Sequence, residues 1–324
     1  MTKRRGLVLG AGGVLGAAWT TGALVALEEV LGFDVRDVDS LIGTSAGSVL
    51  AALIGCGVSV SAVRDQQMGQ RPKEGPLRDV FVDPRGATQS SRPSLPRPGI
   101  GSARLLVRSL RQPQRYPPTA VVSSMLPPGR GSLASVAQLV AAVAPDENGW
   151  TSHANTWIVA MDYDSGRRVV FGRPGSPDVS LPDAVRASCA IPGWYESVAI
   201  DGHRYVDGGT CSPTSLDLLA GLGLDEVYVL APMISVEYDQ PRSVAARLER
   251  TYRRRLTRRV WHEAGKVRAT GTRVVVLGPG IRDLEAIGAN LMDPARRGQV
   301  LTTSLETSTD ALRRATTDQM SWAG

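Results

Sequence analysis

The sequence is short of the residues that most often carry chemistry. Its 324 residues include only three cysteines, Cys56, Cys189 and Cys211. Their odd number and irregular spacing give neither a disulfide framework nor a zinc-ligand pattern, so no metal or other cofactor is expected, and a reducing cytoplasm fits best. Histidine is as scarce, at His153, His203 and His262, which leaves few imidazoles to serve as a base. No window approaches the roughly 18 to 20 uninterrupted apolar residues of a membrane-spanning helix. The basic start Met1–Arg5 ahead of an apolar stretch imitates a signal peptide, but Gly10, Gly12, Gly13 and Gly16 are poor material for its helical segment, and secretion is not expected. Lysine occurs only at Lys3, Lys73 and Lys266, so the net charge of +6 rests almost wholly on arginine, a weak pointer to anionic partners.

What is present is apolar material, 42% of the chain, enough to bury a full core in one large domain or two small ones. A strand over residues 6–9 runs into a glycine loop and then a helix over 16–30, with Ala18, Leu24, Leu27 and Leu31 on one side. A second strand, Ser40–Gly43, leads through Thr44–Gly47 into an alanine- and leucine-rich helix ending near Gly55. Strand and helix alternate, which argues for a parallel sheet covered by helices. Residues 70–132 break the pattern with eleven prolines, and two readings stand: a partly disordered insertion, or a mobile cap whose apolar face is Leu105, Leu106, Val107 and Leu110. Strands over 156–162 and 168–171 come next, then a helix over 181–189 stopped by Pro192, strands over 226–233 and 273–277 with a long helix over 242–268 between them, and a tail helix over 294–316. No internal repeat is visible.

Two short motifs stand where a strand meets a helix. The first, Leu7-Val-Leu-Gly-Ala-Gly-Gly-Val-Leu-Gly-Ala-Ala-Trp19, imitates a dinucleotide fingerprint, which needs Gly-x-Gly-x-x-Gly with a steric task for each glycine. Counted from Gly10, Leu15 takes the place of the third glycine; counted from Ala11, the first is lost. The fingerprint is broken in either register, although Glu28, Glu29 or Asp34 could still be matched to a ribose. The second motif, Gly43-Thr-Ser-Ala-Gly47, has the form of a nucleophile elbow, in which glycines let the backbone pass close to its neighbours while Ser45 projects from a strained turn. A plain structural turn is the bland reading. With an elbow present, the glycine stretch gains another use, since consecutive N–H groups of Gly12, Gly13 and Val14 at a helix mouth can hold an oxyanion without any side chain.

A nucleophilic serine also needs a base. His153 lies ahead of a strand, His203 in the turn Asp201-Gly-His-Arg204, and His262 in an arginine-rich helix. The chain order Ser45, Asp207, His262 matches an α/β-hydrolase triad, but several strands precede the elbow in that fold and only one does here. Asp207, in Tyr205-Val-Asp-Gly-Gly-Thr210, is the better candidate. Two apolar strand residues deliver its carboxyl to a strand end, and Gly208 and Gly209 permit a sharp turn. Burial beside a hydroxyl would let it take the proton directly, provided its pKa is raised. As a bland alternative, Asp-Gly-Gly is an ordinary turn.

In this order the glycine loop, Gly-x-Ser-x-Gly and Asp-Gly-Gly resemble the patatin-like phospholipase family. So does the approach to the aspartate, Arg186-Ala-Ser-Cys-Ala-Ile-Pro-Gly-Trp-Tyr-Glu-Ser-Val-Ala-Ile-Asp-Gly-His-Arg-Tyr-Val-Asp207-Gly-Gly. The similarity spans roughly residues 5 to 233, the proline-rich insertion aside. It implies a three-layer α/β/α fold with a mainly parallel central sheet, and hydrolysis of lipid acyl esters without calcium through a Ser/Asp dyad. Ser45 would be the nucleophile, Asp207 the base, Gly12, Gly13 and Val14 the oxyanion hole, and Gly10, Gly16, Gly43, Gly47, Gly208 and Gly209 the motif glycines. The catalytic domain would occupy 5–280, with 70–132 inserted as a candidate cap and 281–324 as a C-terminal helical extension. The partner implied is a lipid acyl ester of the phospholipase A or lysophospholipase kind. Two positions depart from the family: Leu15 stands where Arg or Lys is usual, and Ala11 where Gly is usual. Low turnover or an unusual substrate is the expectation from the missing cation, and a catalytically weak or silent lipid-binding protein is the alternative, ahead of a dinucleotide-dependent oxidoreductase.

Between Arg242 and Arg268, Leu248, Tyr252, Leu256 and Val260 recur every four residues, with Arg247, Arg250, Arg254 and Arg258 along another side. The stripe reads as a face packed on the sheet. The arginines are candidates for anionic headgroups, which would give a cytoplasmic protein peripheral contact with an anionic membrane surface. Nucleic acid is not an expected partner, because interleaved aromatics and any recognisable module are missing. No pattern fixes an oligomeric state.

Overall fold

Along each central strand, consecutive side chains are buried on opposite faces. Leu7, Leu9, Leu41, Ile158 and Leu230 enter one core, while Val8, Ile42, Val159, Val227 and Val229 enter a second. Strands apolar on both faces need cover on both, which is the condition under which parallel sheets form. The computed structural model describes residues 3–78, 97–145, 149–237, 239, 241 and 244–322. Its strands are β1 (Arg5–Leu9), β2 (Ser40–Thr44), β3 (Thr156–Asp162), β4 (Arg168–Phe171), β5 (Val198–Ile200), β6 (His203–Asp207), β7 (Glu226–Leu230) and β8 (Arg273–Leu277). They form one sheet in the order β5-β6-β3-β2-β1-β7-β8, with β4 also on β3. β3, β2, β1, β7 and β8 run parallel, whereas β4, β5 and β6 are joined by antiparallel pairing. The strand β7 ends at Leu230 rather than at 233 because the chain turns at once, Ile234 N–H donating to Ala231 O around Pro232.

The helices are α1 (Gly13–Leu31), α2 (Ala46–Gly55), α3 (Val60–Gln67), α4 (Ala103–Arg111), α5 (Pro118–Met125), α6 (Ala134–Ala141), α7 (Leu181–Cys189), α8 (Val244–Arg268), α9 (Ile281–Ile287) and α10 (Arg297–Trp322). One core is closed by Leu15, Trp19 and Leu24 of α1, Leu50 of α2, Val185 of α7 and Leu301 of α10. The other is closed by Leu216 and Leu219 of a short 3-10 turn with Val260, Ala264 and Val267 of α8. The result is the three-layer α/β/α architecture with a mainly parallel sheet. By length and composition α1 could cross a bilayer, yet 67% of its most apolar window is buried. It packs tightly on α10: a Cβ at Gly22 would lie 2.4 Å from Leu301 O, and Ser304 Oγ donates to Trp19 O at 2.6 Å. The tail helix therefore shares the core of α1.

Residues 79–96 of the insertion lie outside the described residues. The rest of the insertion beyond them is largely helical, carrying α4 and α5. Leu105 of α4 is fully buried against Met161, Tyr163 and Val206, while Val107 and Leu110 face outward, so the apolar face expected there is split between core and surface. The helix α5 is tied down by Tyr163 Oη donating to Ser123 O at 2.7 Å and by Thr119 Oγ1 donating to Thr210 O.

Candidate active site

Sheet register brings the two candidate catalytic side chains together. On one edge of β3, residues 158–161 pair with β4. On the other edge, residues 156–159 pair with β2 and residues 160–162 with β6. Because β2 runs parallel to β3 and β6 antiparallel, the two strands approach end to end, Thr44 opposite Val159 and Asp207 opposite Ala160. Neither chain can continue straight. One leaves the sheet at Ser45 into α2; the other leaves through Gly208 and Gly209. Ser45 and Asp207 thus sit on facing strand ends, and both are buried.

The turn at Ser45 is strained, with φ 54° and ψ −125°, a conformation that costs a non-glycine residue of order 1–3 kcal/mol. Hydrogen bonds hold it there. Ser45 N–H donates to Ser188 Oγ at 2.9 Å, and Ser188 Oγ donates in turn to Val159 O at 2.6 Å. The Ser45 carbonyl accepts from Ser48 Oγ at 2.6 Å and from Cys189 Sγ at 3.3 Å. Three of the motif glycines stand where nothing larger fits. A Cβ at Gly47 would lie 2.1 Å from Leu9 O, at Gly43 2.5 Å from Ser48 Cα, and at Gly208 2.4 Å from Val159 O.

Burial pushes the Asp207 carboxyl up to about 6. The Ser45 hydroxyl beside it, and the hydrogen bond from Gly209 N–H at 2.7 Å, favour the charged form and limit that rise. A carboxyl poised near 6 is ionised at neutral pH and still basic enough to accept a proton in a reaction.

The glycine loop presents backbone donors to the same place. Gly10 N–H donates to Leu230 O, Ala11 N–H to Pro213 O, Leu15 N–H to Leu291 O and Gly16 N–H to Gly12 O. Among the described residues, no acceptor meets the N–H groups of Gly12, Gly13 and Val14 at the mouth of α1. Two loops flank this stretch, and α8 fastens both. Arg253, fully buried, donates from Nη1 to Pro232 O at 2.6 Å and Ile234 O at 3.1 Å, and a Cβ at Gly12 would lie 2.7 Å from the Pro232 ring. Glu263, also fully buried, accepts from Ser212 Oγ at 2.7 Å, Thr214 Oγ1 at 3.0 Å and Leu216 N–H at 3.1 Å, fixing the loop whose Pro213 carbonyl holds Ala11. The donors are therefore oriented before any charge develops near them.

Two cavities meet at Ser45. One, of about 190 Å³, is mostly apolar, with Val49, Leu50, Leu53, Val136 and Leu139 in its wall. The other, of about 670 Å³, is wider and reaches Asp207, Val122, Trp194, Tyr252 and Arg255. Gly13, Ile191 and Met292 line both.

A strained serine, a buried carboxyl and free amides opening on an apolar slot bear directly on family. Residues 7–220 match the family model described as patatin-like phospholipase. The chain belongs to the patatin-like phospholipase family. Among solved structures it is similar to VipD from Legionella pneumophila, with a TM-score of 0.47 at 13% identity over 97% of this chain and 67% of that one. It is similar also to the type III effector ExoU, with a TM-score of 0.39 at 16% identity over 96% of this chain and 53% of that one. A structure of SpcU in complex with ExoU from the type III secretion system of Pseudomonas aeruginosa gives 0.36 at 19% identity, over 94% and 53%. The chain spans about half the length of the chains matched in these two ExoU structures. Membership of the family supports lipid hydrolysis in general.

Against the patatin-like pattern, Leu15 is fully buried in the core of α1, so the cation usual at that position has no counterpart there. A buried guanidinium does stand behind the loop, but it comes from α8 through Arg253 and Pro232. Ala11 is accommodated because its neighbour is Gly209, where a Cβ would come 3.2 Å from the Ala11 methyl. The three histidines lie elsewhere. His153 contacts Val38 O and Thr156 Oγ1 at the start of β3, His203 lies 3.0 Å from the Asp162 carboxylate, and His262 is exposed on α8. None of them lines either cavity at Ser45, so the triad order is not realised in space.

The arginine-rich helix differs from the expectation. Leu256 and Val260 are buried, but Leu248 and Tyr252 are 71% and 40% exposed, because only the later turns of α8 pack on the sheet. Arg250 and Arg253 are conversely buried, paired with Asp239 and Glu249, and do not lie on a solvent face. Sequence reasoning also passed over Ser188 and Cys189, although both stand in the quoted approach to Asp207, and over Tyr252 and Arg255 as cavity residues.

Proposed function

We propose that the chain is a serine lipid acyl hydrolase of the phospholipase A or lysophospholipase kind, working through an acyl-enzyme on Ser45. The observation that carries this reading is the end-to-end meeting of β2 and β6, which leaves the Ser45 hydroxyl beside a buried carboxyl of raised pKa. In the proposed reaction Asp207 takes the proton from Ser45 Oγ as the oxygen attacks the ester carbonyl carbon. Negative charge gathering on the carbonyl oxygen is met by the N–H groups of Gly12, Gly13 and Val14. Collapse of the tetrahedral intermediate breaks the ester bond, and the leaving alcohol departs with the proton held by Asp207. Water then repeats the sequence on the acyl-enzyme, Asp207 taking its proton and returning it to Ser45 Oγ as the fatty acid leaves. The narrow apolar cavity suits the acyl chain, and the wider one suits the remainder of the lipid.

Leu15 favours a second reading, a weakly active or silent lipid-binding member, since no cation reinforces the loop from that position. Action in the cytoplasm, at an anionic membrane surface, belongs to the proposal on the strength of three unpaired cysteines and an arginine-borne positive charge. Labelling with a fluorophosphonate probe, together with hydrolysis of p-nitrophenyl esters and lysophospholipids, tests the choice. The hydrolase reading expects labelling and turnover that both vanish in Ser45→Ala. Equal labelling of the two proteins would refute it, and vesicle binding without turnover would favour the silent alternative.

A further inference from the structure

The arginines of α8 are nearly all engaged. Arg247 donates to Pro241 O, Arg250 and Arg253 meet acids, Arg254 donates to Arg250 O, Arg259 meets Glu263, and Arg268 donates to Val274 O. Among the described residues, Arg255 and Arg258 alone on this helix have no hydrogen bond or ion pair, and only Arg255 lines the wide cavity at Ser45. Among the described residues it is, apart from Asp207, the one charged side chain in that cavity's wall. Tyr252, three residues earlier and so on the same face of the helix, lines the cavity too, and its hydroxyl has no hydrogen-bond partner among the described residues. It stands close enough to Asp207 for that charge to push its own pKa up, after burial. Arg255 is not among the groups that act on Asp207, so its charge is not spent on the dyad.

We infer that Arg255 and the Tyr252 hydroxyl form an anion-recognition subsite that takes the phosphate of a phospholipid or lysophospholipid whose acyl ester lies at Ser45. The position of the ester rests on the hydrolase reading; the phosphate contact does not. A guanidinium offers a phosphate two parallel N–H donors, and the phenol adds a third from the neighbouring turn. A neutral glyceride filling the same cavity covers both groups and offers them only uncharged hydroxyl or ester oxygens, which cannot neutralise a guanidinium and make weaker hydrogen bonds than a phosphate does. The subsite therefore discriminates by headgroup charge while the narrow cavity deals with the chain.

Equilibrium binding to the full chain carrying Ser45→Ala tests this without turnover. The ligands are mono-octanoylglycerol and mono-octanoylglycerol 3-phosphate, each below its micellar concentration. The phosphate-bearing ligand is expected to bind about ten- to a hundredfold more tightly, the range for hydrogen bonds to a charged group. Adding Arg255→Ala should remove most of that preference and Tyr252→Phe part of it, whereas Arg258→Ala, which changes the same charge outside the cavity, should leave it. Millimolar inorganic phosphate should not erase the preference. Equal affinity for the two ligands, equal losses from Arg255→Ala and Arg258→Ala, or full competition by inorganic phosphate would each overturn the assignment. If the Ser45-intact protein cleaves neither ligand while the Arg255-dependent preference persists, the hydrolase reading fails and the subsite stands.

Discussion

The buried carboxyl proposed as the base should cost the fold stability, and the cost has a pH signature. With its pKa near 6 instead of 3.8, Asp207 binds its proton more tightly in the native protein than in the unfolded chain. Between those two values the folded state holds more protons, so this group's contribution to stability falls as pH rises. Once the carboxyl is fully ionised the loss reaches about 3 kcal/mol. Roughly half of that is already lost at pH 5, leaving about 1.4 kcal/mol to disappear between pH 5 and pH 7.5. Asp207→Asn removes the ionisation and keeps the shape. Its lost hydrogen bonds are independent of pH, and so drop out of the comparison. The unfolding free energy of Asp207→Asn minus that of the natural protein, from urea titrations, should therefore rise by about 1.4 kcal/mol over that interval. The groups that sense the charge of Asp207 do not interfere: Cys189 and Cys211 are pushed to about 12 and about 11, and Tyr252 is raised above its ordinary value of 10. The same ionisation should appear in kcat/KM as an acid limb with its midpoint near pH 6, rate rising with pH, and Asp207→Asn should be inactive throughout. A stability difference flat over pH 5 to 7.5, or an acid limb near pH 4, would refute the reasoning.

Three further substitutions probe the supports of the site. Gly47→Ala drives a methyl to 2.1 Å from Leu9 O; backbone must move, and the urea midpoint should fall by an amount worth about 1–3 kcal/mol, an unchanged midpoint counting against the steric account. Arg253→Ala strips the donors from the Pro232 and Ile234 carbonyls and an ion pair from Glu249; a loss of about 3 kcal/mol is expected, at the low end for a broken buried pair because Glu249 is partly exposed, and kcat should fall more than KM rises as the loop loses its backing. Leu15→Lys restores the family's usual cation at a fully buried apolar position, and is expected to lower stability by several kcal/mol without raising kcat; a faster enzyme of undiminished stability would show that position to be an electrostatic one here as well.

The parts of the fold legible in the sequence are those set by local pattern. Alternating strands and helices and the two motif turns could be read because each depends on residues within a few positions of one another, whereas the pairing of Ser45 with Asp207, far apart in the chain, rested on the family resemblance. The split of α8 was not legible: Leu248, Tyr252, Leu256 and Val260 form a single stripe by spacing, and only the point where the helix leaves the sheet decides which of them are buried. Nor was Ser188, which supports Ser45 from 143 residues away. One hydroxyl in Arg-Ala-Ser-Cys-Ala carries no mark of the amide it will meet. The loops that back Gly12 and Ala11 are equally silent, since their hold on α8 passes through Arg253 and Glu263, two charged residues that composition alone would assign to the surface.

The topology shows how a lone carboxyl could fill, in the proposed mechanism, the place where a histidine is customary. The chain steps from β1 to β2 to β3 on one flank and returns to β7 on the other, so the carboxyl ends of β1 and β2 lie beside a reversal in strand order, the place where parallel sheets open a crevice. Into the same edge of β3 comes β6 from the opposite direction, and it can advance only until it meets the end of β2. That collision does two things at once. It sets the last side chain of β6 against the first residue after β2, and it buries that side chain in the middle of the sheet edge, away from solvent. Proximity to the hydroxyl and the desolvation that raises the carboxyl's basicity thus have a common cause. In a fold whose base arrives on a flexible loop the two would have to be arranged separately, and an imidazole, already titrating near neutrality, would be the simpler choice.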